Sequence, residues 1–187
     1  YFGLFPTLNV IYEIAEEENI TFGYNRRINR PRGWYINPFP SRSSRNNIFQ
    51  GNPNLQPAYS NSFDIGYLKR WEKLTLTSSV YYQRETDAFQ RVQEEIDIQI
   101  ANPAFPEQGP ETIPQTVIRS IPFNLATNDR MGGELGVLYN PAEWLRLNGS
   151  FNYFRFKLDG EFNGDSYNTE NTSWFARFSS KVTLPLQ

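Results

Sequence analysis

The chain has 187 residues, no cysteine and no histidine, and its 18 Lys and Arg nearly balance 20 Asp and Glu, for a net charge of −2. That inventory excludes zinc sites built on His and Cys, the Ser-His-Asp and Cys-His nucleophile systems, and any disulfide framework. It also withholds the basic surface that a nucleic-acid partner requires.

From Leu8 onward the recurring hydrophobic period is two rather than 3.6, which predicts strands. Leu8, Val10, Tyr12 and Ile14 share one face, with Thr7, Asn9 and Glu13 on the other. Ile20, Phe22, Tyr24 and Ile28 oppose Thr21, Gly23, Asn25 and Arg27, with Arg26 out of pattern. Tyr59, Phe63, Ile65 and Tyr67 oppose Ser60, Ser62, Asp64 and Gly66. Leu74, Leu76, Val80 and Tyr82 oppose Lys73, Thr75, Thr77, Ser79 and Gln83. A longer, less regular run extends from about Thr116 to Tyr139, where Leu135, Val137 and Tyr139 oppose Glu134 and Gly136. Leu145, Leu147, Phe151 and Tyr153 then oppose Arg146, Asn148, Ser150 and Asn152, and Trp174, Ala176, Phe178, Val182 and Leu184 oppose Arg177, Ser179, Lys181 and Thr183. About seven strands are predicted.

Short connections, at Glu16 to Asn19, Arg70 to Glu72 and Asn140 to Glu143, alternate with long ones at 29–58, 93–115 and 159–171. Tight turns at one end and long polar loops at the other describe an antiparallel up-and-down transmembrane β-barrel, its turns periplasmic and its loops external. No run approaches the roughly 18 to 20 apolar residues of a spanning helix, but 15 Phe, 11 Tyr and 4 Trp can furnish the girdles of a membrane barrel. Tyr12, Tyr67, Trp71, Tyr139 and Trp144 fall near the short-turn end and predict one interfacial rim, while Tyr153 and Trp174, with Tyr59, Tyr81 and Tyr82, lie toward the loop end and predict the other. A polar second face fits a wet lumen, since small soluble barrels fill their interior with apolar side chains. An antiparallel sheet with one solvated face, as in a soluble carbohydrate-binding β-sandwich, would alternate in the same way. Run length favours the membrane: most of these strands reach the ~9–11 residues that a bilayer needs. An odd strand count, a start at Tyr1 with no export signal, and an end at Pro185-Leu186-Gln187 predict a piece of a larger barrel.

The stretch from Tyr24 to Tyr67 carries three phrases: Arg26-Arg27-Ile28-Asn29-Arg30-Pro31, Asn37-Pro38-Phe39, and Gly51-Asn52-Pro53-Asn54-Leu55-Gln56-Pro57. Its prolines cannot donate to a ladder, so they end strand pairing, and Gly51 is expected to supply a turn with positive φ. The order of these phrases, with Tyr1-Phe2-Gly3-Leu4-Phe5-Pro6 before them and Gly133-Glu134-Leu135 after, resembles the C-terminal barrel portion of TonB-dependent receptors, especially the outer-membrane β-barrel family common in Bacteroidetes. Ala58 departs from that pattern, which tends to an acidic residue there. The resemblance implies part of a barrel of about 22 strands around a plug, in the outer membrane of a Gram-negative cell, importing a siderophore, glycan or peptide. It implies as partners outer-membrane lipid, the plug domain and remaining strands, TonB through the plug, and a surface lipoprotein. A barrel acting as scaffold or adhesin is the alternative.

No cofactor, metal or catalytic residue is expected. Glu94, Glu95 and Asp97 read as a solvated loop rather than a catalytic cluster, and Asp159 to Asp165 misses the EF-hand spacing for calcium. Gly132, Gly133 and Gly136 lack a following helix and a phosphate-binding lysine, so they are expected to relieve strand crowding. The candidate ligand contacts are Arg30, Arg32, Trp34, Tyr35, Arg42 and Arg45, because arginine beside aromatic rings captures anionic or ring-bearing ligands. Glu13, Arg27, Asp64, Glu134, Arg146, Arg177 and Lys181 are expected in cross-strand ion pairs or facing the plug.

Overall fold

The computed structural model describes residues 3–41, 44, 46–101 and 112–184. In chain order the elements are β1 (Thr7–Ala15), β2 (Glu18–Asn29), α1 (Gly33–Ile36), β3 (Asn47–Phe49), β4 (Ala58–Arg70), β5 (Leu74–Ala101), β6 (Thr112–Ala142), β7 (Leu145–Phe162), β8 (Asp165–Ser166) and β9 (Thr169–Val182). All seven expected strands are present, joined by the very short β3 and β8. The sheet runs β1-β2-β4-β5-β6-β7, with β9 beside β7. The pairs β1–β2, β4–β5, β6–β7 and β7–β9 are antiparallel, and β3 lies parallel to β6. Among the described residues the sheet does not close on itself, and β1 and β9 are its two ends.

The chain divides into two compact units, one of Tyr1–Asn29, Tyr59–Thr86 and Ala126–Gln187, the other of Arg30–Ala58 and Asp87–Leu125. In the first, register brings like faces together: Ile65 pairs with Val80, Leu135 with Phe151, Phe151 with Ala176, and Tyr153 with Trp174. Among the described residues the resulting apolar face has no partner layer. Leu8, Phe63 and Phe178 are 50%, 40% and 72% exposed, and Leu76 and Leu147 are only half-buried. A sandwich would bury these residues between its sheets; here they form a continuous greasy surface.

The opposite face is polar and closely fitted. A Cβ at Gly132 would lie 2.6 Å from the Tyr153 carbonyl oxygen and from the Tyr81 hydroxyl, and one at Gly136 would strike Thr77. These glycines let neighbouring polar side chains lie flat across the strand, the crowding expected of them. Two charged residues of this face reach amides on the neighbouring strand: Glu134 takes the amide of buried Asn152, and Arg146 donates to Asn140 at 3.1 Å. A short amide reaches across one strand spacing to either charge.

Parts of two expected loops are strand, and 102–111 of the first lie outside the described residues. β5 runs on to Ala101 and β6 begins at Thr112, because the alternation continues through charged sequence: Ile96 and Ile98 are half-buried while Glu95, Asp97 and Gln99 are exposed. In 159–171, β7 continues to Phe162 and turns on Asn163 and Gly164, both at positive φ (51° and 88°), directly into β8. This two-residue hairpin turn with both φ positive is of the type that Asn-Gly specifies.

The second unit holds a small dry core of Leu55, Ala58, Ala88, Val92, Val117 and Pro122. Gly51 does not have positive φ. Its lack of a side chain serves close backbone approach instead, since a Cβ there would meet the Asn37 carbonyl oxygen at 2.5 Å and the Tyr35 carbonyl oxygen at 2.7 Å.

Candidate functional site

Pro31 lacks the N–H that strand pairing needs, and the chain turns there. Arg32, extended at φ −69° and ψ 155°, precedes the single turn of α1, and its carbonyl accepts the Tyr35 N–H at 2.8 Å. That turn presents Trp34 and Tyr35 side by side, with ring centroids 4.1 Å apart. β3 brings Phe49 to 4.9 Å from Trp34 and 6.0 Å from Tyr35, and β5 brings Phe89 to 5.9 Å from Tyr35. Arg91, two residues along the same face of β5, holds its guanidinium 5.4 Å from the Trp34 ring, 5.7 Å from Tyr35 and 5.5 Å from Phe49.

The residues around this cluster fix it from behind. The Asn52 N–H donates to the Tyr35 carbonyl at 2.7 Å, and the Gly51 N–H to the Asn37 carbonyl at 2.8 Å. Asn52 also accepts the Asn54 N–H at 3.0 Å and donates to the Pro122 carbonyl at 3.2 Å. Asn124 acts as a substitute strand, accepting the Gln56 N–H at 2.8 Å while its amide donates to the Gln56 and Asp87 carbonyls at 2.8 and 2.7 Å. Arg119 donates twice to Glu94, at 2.8 and 2.5 Å, and once to Gln50 at 3.3 Å.

Chemically this is a shelf of aromatic faces crossed by one guanidinium. Trp34 is 45% exposed and Arg91 is exposed, so both remain open to a ligand. Rings offer stacking to a planar group, and the guanidinium offers directed N–H donors to an anion. Of the expected contacts, Trp34 and Tyr35 come together; Arg30 and Arg32 are exposed where the chain leaves β2, and Arg42 and Arg45 lie outside the described residues. The cation over these rings is Arg91, which sequence reasoning missed together with Phe49 and Phe89. The signal was present, since Phe89 and Arg91 stand two apart and share a strand face once β5 is extended beyond Gln83.

The other candidates separate. Glu94 faces Arg119, while Asp97 accepts the Thr116 hydroxyl at 2.7 Å, so the two carboxylates have different partners. Among the described residues no group of three potential metal ligands comes together. Tyr12, Trp71, Tyr139 and Trp144 are exposed beside the tight turns, and Tyr67 donates to Glu18 at 2.8 Å in the same region. Tyr153 and Trp174 are paired across β7 and β9, 50% and 65% exposed.

Residues 1–187 match the model of the outer membrane protein beta-barrel family. No curated protein matches the chain in sequence. Its fold is similar to that of the siderophore receptor PirA from Acinetobacter baumannii, with a TM-score of 0.62 at 11% identity, over 94% of this chain and 34% of that one. It is also similar to the ferric enterobactin receptor PfeA from Pseudomonas aeruginosa, solved in complex with BCV-L6, with a TM-score of 0.59 at 13% identity, over 97% of this chain and 33% of that one. The chain thus spans about a third of the length of these receptors.

Proposed function

The chain belongs to the outer membrane protein beta-barrel family and has its place in the outer membrane; on that premise we propose that it forms part of the wall and external loops of a TonB-dependent receptor importing a scarce nutrient. The observation that carries this reading is the unpartnered apolar face of a single antiparallel sheet whose other face is polar and closely fitted. In a bilayer that greasy face meets hydrocarbon, and the backbone N–H and C=O groups are satisfied between strands. The end strands β1 and β9 then continue the wall by pairing with further strands of the same barrel, which encloses a plug that engages TonB.

The two aromatic groups act as interfacial rims, Tyr12, Tyr67, Trp71, Tyr139 and Trp144 at the turn end, Tyr153 and Trp174 at the other. The shelf of Trp34, Tyr35, Phe49 and Arg91 is the ligand-contacting surface among the described residues, suited to an anionic, ring-bearing cargo such as an iron chelate. Arg30, Arg32, Arg42 and Arg45 add cationic character to the same stretch of chain. The role is passive, that of a wall and a selectivity surface, with no catalysis; a surface lipoprotein would join it if the cargo were a glycan or peptide.

A strain lacking the whole protein should lose uptake of its cargo, assayed with ferric catecholate chelates, oligosaccharides and peptides in turn, and regain it with the wild-type gene. Uptake that is unchanged for all three classes would sink the transport reading in favour of a scaffold.

A further inference from the structure

The outward face of β6 carries Met131, Gly133, Leu135, Val137 and Tyr139, so one position in five lacks a side chain. Packing does not demand that gap. A Cβ at Gly133 would meet only the Ser79 carbonyl oxygen at 3.4 Å and a Val80 methyl at 3.8 Å, and the residue is not at positive φ. Its neighbour Gly132, on the opposite face, is crowded from two sides. The missing side chain opens an apolar groove of about 570 Å³ over Gly133, walled by Ile65 and Val80 on one flank, Tyr153 on the other, and Met131 and Arg155 at one end.

That end is the charged one. Tyr153 pairs with Trp174, and the following outward residues of β7 are Arg155 and Lys157. Around them lie Arg84, Asp129, Asp159 and Glu170. Arg155 donates to Glu170 at 2.9 and 2.7 Å, Lys157 to Asp159 at 2.7 Å, and Arg84 stands 4.0 Å from Asp129. These pairs are roughly half-exposed, apart from the more sheltered Asp129, and exposed pairs of this kind contribute little to stability. Their cations can therefore exchange a carboxylate for a more highly charged phosphate at little cost. Gly149, the other open outward glycine, lies between Leu147 and Phe151 with no cation in either flanking row, so it has the notch without the headgroup contacts.

We propose that the groove over Gly133 seats one acyl chain of a phosphate-headed membrane lipid, whose phosphate is received by Arg155 and Lys157. The apolar walls exclude water from the chain, while the cations at the open end fix its headgroup. This rests on the barrel-wall reading, because it requires the greasy face to meet lipid.

The test uses the protein purified in detergent and dioleoyl phosphatidic acid or dioleoylglycerol as the probe, with bound lipid counted by native mass spectrometry. Wild-type protein should retain one phosphatidic acid and bind dioleoylglycerol at least about tenfold more weakly. Gly133→Leu, which fills the groove where there is room for a side chain, should weaken phosphatidic acid binding about tenfold. Arg155→Gln with Lys157→Gln should do the same while leaving dioleoylglycerol unaffected. Binding by Gly133→Leu equal to wild type, or equal binding of both lipids, would overturn the site. Protein that is folded and monodisperse without detergent would overturn the barrel-wall reading itself, a separate outcome from loss of lipid selectivity.

Discussion

Gly51 lies against Asn37 with no room for a side chain between them: the Gly51 N–H donates to the Asn37 carbonyl at 2.8 Å, and a Cβ at position 51 would sit 2.5 Å from that same oxygen. The contact joins the Asn-Pro-Phe phrase to the Gly-Asn-Pro-Asn phrase and so holds α1 in place. Because the obstructing atoms are backbone, they cannot swing aside. Gly51→Ala should destabilise the second unit by about 1–3 kcal/mol. Limited proteolysis of the 33–56 segment reads this out, and a cleavage rate equal to wild type would show the contact to be slack.

The aromatic shelf makes a graded prediction. Trp34→Ala should weaken cargo binding more than Arg91→Ala, because it removes a ring face as well as the partner of the cation. A cation over an exposed ring contributes about 0.5–1 kcal/mol, so Arg91→Ala should cost roughly two- to fivefold in affinity. Arg91→Lys should cost less, since the charge stays while the planar fork is lost. Quenching of tryptophan fluorescence on titration with a ferric catecholate measures each affinity.

Opposite faces of β7 should respond oppositely to charge. Phe151 is on the greasy face and 43% exposed, whereas Ser150 is exposed on the polar face. Phe151→Arg should cost about 2–4 kcal/mol in lipid, the penalty for a cation near the bilayer midplane, and Ser150→Arg about 0–1. Urea titration of the protein folded in lipid vesicles compares them. Equal penalties would mean that the apolar face does not meet hydrocarbon.

Glycines of one sheet should divide by what surrounds them. Gly132→Ala places a methyl group against the Tyr153 carbonyl and should destabilise by about 1–3 kcal/mol. At Gly149 nothing lies within 4 Å of the added carbon, so Gly149→Ala should be neutral or stabilise by up to about 1 kcal/mol by restricting the unfolded chain. The same urea titration distinguishes the two.

Local alternation gave away the strands and their faces before any contact was known. The run Leu145, Leu147, Phe151, Tyr153 needs only the twofold pleat to fall on one side, and the tight turns at Glu17 and Trp144 follow where it breaks. The same rule applied further would have extended β5 through Ile96 and Ile98, and the Asn163-Gly164 pair would have replaced a loop with a hairpin. Charge and an abundance of loop-type residues obscured both.

By itself, then, the sequence determined a one-sided antiparallel sheet with a greasy and a polar face, because side-chain direction along a strand depends on the backbone alone. Only the tertiary structure decided that Arg91 lies over Trp34, Tyr35 and Phe49, that Gly51 abuts Asn37, and that Gly133 opens a notch beside Arg155. Those meetings depend on strand register and on how chain segments many residues apart come together. No local periodicity encodes either, since each is set by the sum of many weak contacts across the sheet.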